Sequence, residues 1–129
     1  MDLSFNHTIV WAADRDATAE WWSDVFGVAT KPFGPFLQIP CSNGVDLDIC
    51  GIGSNPDRGR PAPQHYAFLV SEGDFDAVFT RVKDRGIPYW AHPDGSGKGE
   101  YNTNDGGRGV YFADPNGHDL EIITVPYGG

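Results

Sequence analysis

An internal repeat limits the possible folds of this chain more than any other feature of its sequence. The octet NGVDLDIC at 43–50 returns as NGHDLEII at 116–123, with Asn, Gly, Asp, Leu and Ile in register and an acid at the sixth position of each. A longer match places HTIVWAADRDATAEWWSDVFG, which begins at His7, beside HYAFLVSEGDFDAVFTRVKDRG, which begins at His65. The sequence is therefore a tandem duplication of one module.

Each copy has the hydrophobic pattern of a strand, a helix and three further strands. The His begins a short apolar strand, and an acidic turn follows it with Asp16 or Asp74 as the predicted helix N-cap. The helical stripe ends at Gly27 in the first copy and at Gly86 in the second. The later strands are predicted at 28–33, 36–40 and 45–50 in the first copy and at 87–91, 109–113 and 119–125 in the second.

These elements predict an α+β fold in which two βαβββ modules form a curved, mostly antiparallel eight-stranded sheet, a cup with its helices outside. We expect one domain over 1–129, with module one at about 1–50, a linker at about 51–63 and module two at about 64–129. The segment 92–108 has no counterpart in module one and is rich in Gly, Asn and Asp, which predicts a mobile loop.

Composition excludes several classes of function. Nine Lys and Arg residues stand against 18 Asp and Glu, a net charge of −9, which argues against binding to nucleic-acid phosphates. No long apolar run, signal-peptide pattern or basic amphipathic stretch predicts contact with a membrane. The expectation is a cytoplasmic protein.

The two cysteines are predicted to be free thiols. If Asn43-Gly44 is a two-residue hairpin turn, Cys41 lies opposite Asp46 and Cys50 lies opposite Leu37. In that register the two sulfur atoms are too far apart to form a disulfide.

Strand alternation suggests where the chemistry lies. A twofold relation between the modules would bring His7 near His65 and Asp48 near Glu121, on a concave and partly apolar surface. A buried carboxylate without a partner is costly, and a divalent cation relieves that cost. Two imidazoles and one or two carboxylates with open positions suit Fe(II), Mn, Zn, Ni or Co.

Each of these residues also has a simpler interpretation. A His at the head of a strand is commonly a surface residue, and a single Asp in a hairpin strand is commonly solvated. The two remaining histidines, His92 and His118, lie in turn-like segments and are predicted to be structural or exposed.

Paired βαβββ modules with a His on the first strand and an acid on the last resemble the vicinal oxygen chelate superfamily. That superfamily includes glyoxalase I, extradiol dioxygenases, methylmalonyl-CoA epimerase, fosfomycin-modifying enzymes and bleomycin-binding resistance proteins. The resemblance covers nearly the whole chain. It implies that His7, His65 and Glu121 hold a divalent metal, with Asp48 as fourth ligand or general base. It also implies a homodimer and a small-molecule substrate with adjacent oxygen atoms.

The branch of the superfamily is harder to assign. VYFADPNGHDLE is similar to the end of the extradiol dioxygenase signature, which implies that Tyr111 bonds a substrate oxygen or acts as an acid. The His expected upstream of that Tyr is missing, and Asn102 and Asn104 occupy the region. QHYAF and DPNGH resemble the fosfomycin branch, but Ile9 stands where that branch usually has Thr, and Asp119 where it often has Arg.

The prediction is therefore a metal-dependent enzyme, a glyoxalase-like lyase or isomerase or an extradiol-type dioxygenase. Two alternatives stay open. One is a fosfomycin-type thiol transferase. The other is a bleomycin-type resistance protein that sequesters its ligand without catalysis, which the charge of −9 and the four Trp residues favour. The segment Asp94 to Arg108 is expected to close over the site. The predicted pocket residues are Phe5, Ile9, Trp11, Asn104 and Arg108.

Overall fold

A computed structural model of the chain describes residues 1–53 and 59–127. It divides into two compact units, Met1–Ala62 and Pro63–Gly129. Of the predicted linker, residues 54–58 lie outside the described part of the chain. That the two modules form a single domain stays a prediction.

The first unit contains one complete βαβββ module. Its sheet has the order β1-β4-β3-β2, with β1 parallel to β4 and the other neighbours antiparallel. The helix α1 contacts β1, β3 and β4. The elements are β1 His7–Ala12, α1 Arg15–Phe26, β2 Lys31–Phe33, β3 Phe36–Pro40 and β4 Asp46–Gly51.

The second unit repeats this topology. Its sheet has the order β5-β8-β7-β6, again with a single parallel pair, β5 with β8. The elements are β5 His65–Leu69, α2 Glu72–Asp84, β6 Tyr89–Trp90, β7 Gly109–Ala113 and β8 Asp119–Ile123. The predicted α+β class and the duplicated βαβββ order are confirmed, and in the described part of the chain eight strands are distributed over two four-stranded sheets. Within residues 1–53 and 59–127, no helix has the length and apolar character needed to cross a bilayer.

The helix N-caps differ from the sequence prediction. The Asp14 side chain accepts a hydrogen bond from the Ala17 amide at 3.0 Å, and Ser71 accepts one from the amide of Asp74 at 3.1 Å. The predicted caps, Asp16 and Asp74, lie inside the first turn instead. Their carboxylates still face the positive end of the helix dipole, so acids are favourable at both kinds of position.

The hairpin between β3 and β4 is shifted by one residue from the prediction. The Cys41 amide donates to the Val45 carbonyl at 2.9 Å, which leaves three residues in the loop, and Leu37 pairs with Ile49. The predicted partners of Cys41 and Cys50 were therefore wrong. The conclusion drawn from them is confirmed, because both cysteines are free.

Each sheet has one buried face, and the opposite face carries most of the predicted site residues. In β1, Val10 and Ala12 are fully buried, whereas the alternate residues are partly exposed. The buried apolar side chains of the first unit include Val10, Ala12, Trp22, Val25 and Ile49, and those of the second include Phe75, Val82, Val110, Phe112, Leu120 and Ile122.

The segment 92–108, predicted to be a mobile loop, is folded by its own hydrogen bonds. The Ala91 amide donates to the Gly97 carbonyl at 3.1 Å, and Asn102 and Gly109 exchange backbone bonds of 2.8 and 3.0 Å. A 3₁₀ turn lies near its end. The many Gly and Asn residues of this segment adopt turn conformations, such as the positive φ of 73° at Gly97. The segment is therefore a series of hydrogen-bonded turns and not an irregular loop.

Candidate functional site

His65 and Glu121 come together on neighbouring strands of the second unit. In the parallel register of β5 and β8, His65 pairs with Asp119 and Ala67 pairs with Glu121. His65 and Glu121 are therefore diagonal neighbours, two residues apart in register, on the same face of the sheet. His65 Nε2 is 3.2 Å from Glu121 Oε1. The Glu121 side chain is buried and the His65 side chain is about half exposed, at 2% and 48%.

The other ring nitrogen of His65 fixes its tautomer. His65 Nδ1 lies 3.0 Å from the backbone oxygen of Asp119. Because a carbonyl oxygen can only accept a hydrogen bond, Nδ1 carries the proton. In the neutral ring, the lone pair of Nε2 then faces the carboxylate of Glu121, and two acceptors oppose each other. Only a proton or a metal cation between them makes this arrangement favourable.

The geometry of this pair fits a divalent metal. Two donors each about 2.1 Å from an ion, at an angle of about 100°, lie about 3.2 Å apart. Metal-binding histidines usually donate their second ring N–H to a carboxylate or a backbone carbonyl, as His65 does to Asp119. Among the residues that the structure describes, no group of three or more His, Cys, Asp and Glu is arranged around one metal position. The His65–Glu121 pair thus supplies two of the ligands that such an ion needs.

Two tyrosine hydroxyls extend this pair. The Tyr127 hydroxyl is 2.9 Å from both carboxylate oxygens of Glu121 and 3.0 Å from the Tyr111 hydroxyl. A phenol has one proton, so Tyr127 donates to Glu121 and Tyr111 donates to Tyr127. The Tyr111 ring also stacks on the ring of His65, with centroids 6.0 Å apart.

Both tyrosines keep their protons at neutral pH. Burial, the bond to Tyr127 and the charge of Glu121 raise the pKa of Tyr111 far above its ordinary value. The hydrogen bond from Tyr111 lowers the pKa of Tyr127. Burial, the hydrogen bond to Glu121 and the negative charge of Glu121 have the opposite effect and are larger together, so the pKa of Tyr127 is raised as well. These groups therefore act as hydrogen-bond donors.

A small cavity of about 30 Å³ lies beside these groups. A cavity of this volume has room for water. Asn104 and Arg108, both predicted pocket residues, line it together with Asp105, Tyr111, Glu121 and Tyr127.

The charge of Arg108 is directed to helix α2. Its Nε donates to Glu72 Oε2 at 2.7 Å, and its Nη2 lies 2.9 Å from Asp76 Oδ1. The guanidinium also lies over the Phe75 ring, with Cζ 4.2 Å from the centroid. Arg108 thus connects the end of segment 92–108 to helix α2, and its positive charge is paired with the carboxylates of Glu72 and Asp76.

The first unit places His7 and Asp48 on one sheet face. His7 begins β1 and is exposed, and its Nδ1 lies 2.7 Å from Asn6 Oδ1, so the ring can offer Nε2 to a ligand. Asp48 is only 3% exposed and accepts a hydrogen bond from Gln38 Nε2 at 2.8 Å. The register pairs Asp48 with Ile9 on one side and Gln38 on the other. That His7 and Asp48 join the second unit's pair in one centre stays a prediction.

The remaining predicted pocket residues lie near or on the same strand as His7. Ile9 and Trp11 are partly exposed and alternate with buried residues, and Phe5 is 68% exposed just before the strand.

The other two histidines differ from each other. His92 is exposed, whereas His118 is fully buried and its Nδ1 accepts a 3.0 Å bond from a backbone amide, so both match the structural or exposed role predicted for them.

Sequence reasoning missed two residues of the site. Gln38 is the only polar residue of β3, FLQIP, which is a usable signal for a buried partner. Tyr127 lies beyond the last strand and shows no periodic pattern, so no feature of the sequence marked it.

The model of the Glyoxalase/Bleomycin resistance protein/Dioxygenase superfamily matches residues 4–122. The chain belongs to this superfamily. Among solved structures, it is similar to Oxidase ChaP-H1, at 53% identity and a TM-score of 0.91 over 99% of this chain and 100% of that one. It is also similar to Oxidase ChaP-H2, at 51% identity and a TM-score of 0.92 over 100% of this chain and 98% of that one.

Among curated proteins, the chain is 27% identical to the glutathione transferase FosA of Serratia marcescens over 125 residues, 92% of this chain and 79% of that protein. These matches confirm the resemblance that was drawn from the repeated His and acid positions.

Proposed function

We propose that the protein is a divalent-metal enzyme that oxidises a small molecule with two adjacent oxygen atoms. His7, His65 and Glu121 hold the metal, and Asp48 serves as a fourth ligand or a general base. The observation that carries this proposal is the His65 ring. Its Nδ1 donates to a backbone carbonyl, and its Nε2 faces the buried carboxylate of Glu121 at 3.2 Å.

When bound, the metal supplies Lewis-acid polarisation of the substrate oxygens and, if it is iron, a route for electrons to dioxygen. The chain orients the groups around it. The Asp119 carbonyl holds the His65 ring in one tautomer, and Tyr127 holds the Glu121 carboxylate. Tyr111 keeps its proton and donates it in a hydrogen bond to Tyr127, so it can donate to a bound oxygen only in exchange for that bond.

Oxidation is supported by the two relatives named oxidases, which match at 53% and 51% identity over nearly their whole length. A fosfomycin-type thiol transferase is the second candidate, supported by the 27% identity to FosA. Against it, Ile9 and Asp119 stand where the fosfomycin branch usually has Thr and often has Arg. The first proposal therefore has the stronger support.

One pair of assays separates the two activities. The apoprotein is reconstituted without oxygen with Fe(II), Mn, Co, Ni or Zn and offered ortho-diphenols and ortho-hydroxyquinones, and oxygen uptake is recorded. In parallel, fosfomycin and glutathione are incubated with each metal form, and the adduct is sought by mass spectrometry. We expect metal-dependent oxygen uptake that His65→Ala abolishes and the exposed-site control His92→Ala retains. Adduct formation without oxygen uptake would assign the transferase instead.

We also propose a cytoplasmic homodimer. Light scattering should then give twice the chain mass of 14.1 kDa. A mass of one chain at micromolar concentration would contradict the dimer.

A further inference from the structure

We propose that Tyr127 is a positioning residue that makes Glu121 a metal ligand through one oxygen only, Oε1. The inference rests on the proposed function, because it concerns the same metal. It adds a residue from the tail after the last strand, which no sequence feature had linked to the site.

Tyr127 lies close to both oxygens of the Glu121 carboxylate. Its hydroxyl oxygen is 2.9 Å from Oε1 and 2.9 Å from Oε2 of Glu121. An ion chelated by both oxygens of a carboxylate also lies at similar distances from the two. The equal distances place the Tyr127 hydroxyl in the plane that bisects the carboxylate, where it competes with an ion that would bind both oxygens.

The two oxygens of Glu121 have different neighbours. His65 Nε2 is 3.2 Å from Oε1, and this is the oxygen nearest the nitrogen that carries a free lone pair in the neutral ring. Oε2 accepts a hydrogen bond from the Tyr127 hydroxyl at 2.9 Å. An ion between His65 and Glu121 would therefore take Oε1, while Tyr127 keeps its bond on the side of Oε2.

The Tyr127 hydroxyl is held in place by the hydroxyl of Tyr111. The residue is 68% exposed, so burial of its ring contributes little to its position. The Tyr111 hydroxyl donates to it at 3.0 Å, and Tyr111 is 5% exposed and paired with Glu121 in the sheet. This donation leaves the single Tyr127 proton for the carboxylate. Tyr111 thus orients Tyr127, and Tyr127 orients Glu121.

The test compares metal affinity in wild type and Tyr127→Phe, which keeps the ring and removes the hydroxyl. Removing a group that orients a metal ligand usually weakens metal binding about 10- to 100-fold. The matched control is Tyr101→Phe, since the Tyr101 ring packs on Phe75 and Phe79 in the same unit. Dissociation constants for Co(II) and Zn(II) are measured on apoprotein by chelator competition, and the thermal midpoint of each apoprotein checks the fold.

We expect Tyr127→Phe to weaken both metals about 10- to 100-fold, with the control and the apoprotein midpoints unchanged. The visible spectrum of the Co(II) form should also change, because the second carboxylate oxygen becomes available. Equal or tighter binding by Tyr127→Phe would overturn the inference while leaving the metal site standing. Absence of metal binding by wild type would instead overturn the proposed function, and the inference with it.

Discussion

The buried pair Gln38 and Asp48 offers a test of how the first unit tolerates a carboxylate inside its sheet. The two side chains are 6% and 3% exposed, and Gln38 Nε2 donates to Asp48 Oδ1 at 2.8 Å. Gln38→Leu removes the donor, keeps a side chain of similar size and leaves the carboxylate without this bond. A buried group that loses its partner costs about 1–3 kcal/mol, and more when it is charged. We expect the free energy of unfolding of the metal-free protein to fall by about 2 kcal/mol.

Urea denaturation at pH 7 measures this loss, with Gln64→Leu as the control because Gln64 is exposed. The control should stay within about 0.5 kcal/mol of wild type. The double variant Gln38→Leu/Asp48→Leu should recover most of the stability, since apolar groups that replace both partners are nearly neutral. A Gln38→Leu variant as stable as the control, or a double variant less stable than the single one, would refute the reasoning.

Three further changes test other parts of the fold. Gly97→Ala should destabilise the protein more than Gly95→Ala. Both glycines have positive φ, but only at Gly97 would the new Cβ lie 2.7 Å from the Ala91 Cβ, and equal losses of unfolding free energy would contradict this. Phe112→Ala empties a fully buried position and should cost about 3–5 kcal/mol in a denaturation curve, whereas a loss under 1 kcal/mol would show that the ring is not in the core. Arg108→Met should speed hydrogen exchange of the amides around it, because its bonds to α2 are lost, and unchanged exchange would show that those bonds do not hold the segment.

The topology was predictable because the two copies support each other. A short apolar run such as HYAFL can be a strand or part of a buried helix when it is considered by itself. Its counterpart HTIVWA is followed by the same acidic turn and the same helical stripe, so one secondary-structure assignment had to fit both runs. Strand alternation predicted the face on which His65 and Glu121 each lie. The parallel pairing of β5 with β8, which brings these two side chains together, was not predicted.

The details that failed depended on choices that the sequence leaves open. Asp14 and Asp16 are both acids two residues apart, and the point where the chain leaves β1 selects Asp14 as the cap. Asn43-Gly44 suits loops of two or three residues, and the register of β3 against β4 settles which one forms. Tyr127 reaches Glu121 through the path of the tail after β8, which no local pattern encodes.

Metal content tests the central claim most directly. Wild type, His65→Ala and the control His92→Ala are prepared without affinity tags, reconstituted without oxygen, desalted and analysed by mass spectrometry for Fe, Mn, Co, Ni and Zn. The account predicts about one equivalent of metal in wild type and in the control, and its loss in His65→Ala. Wild type without bound metal after reconstitution, or His65→Ala with the same metal content as wild type, would contradict the account.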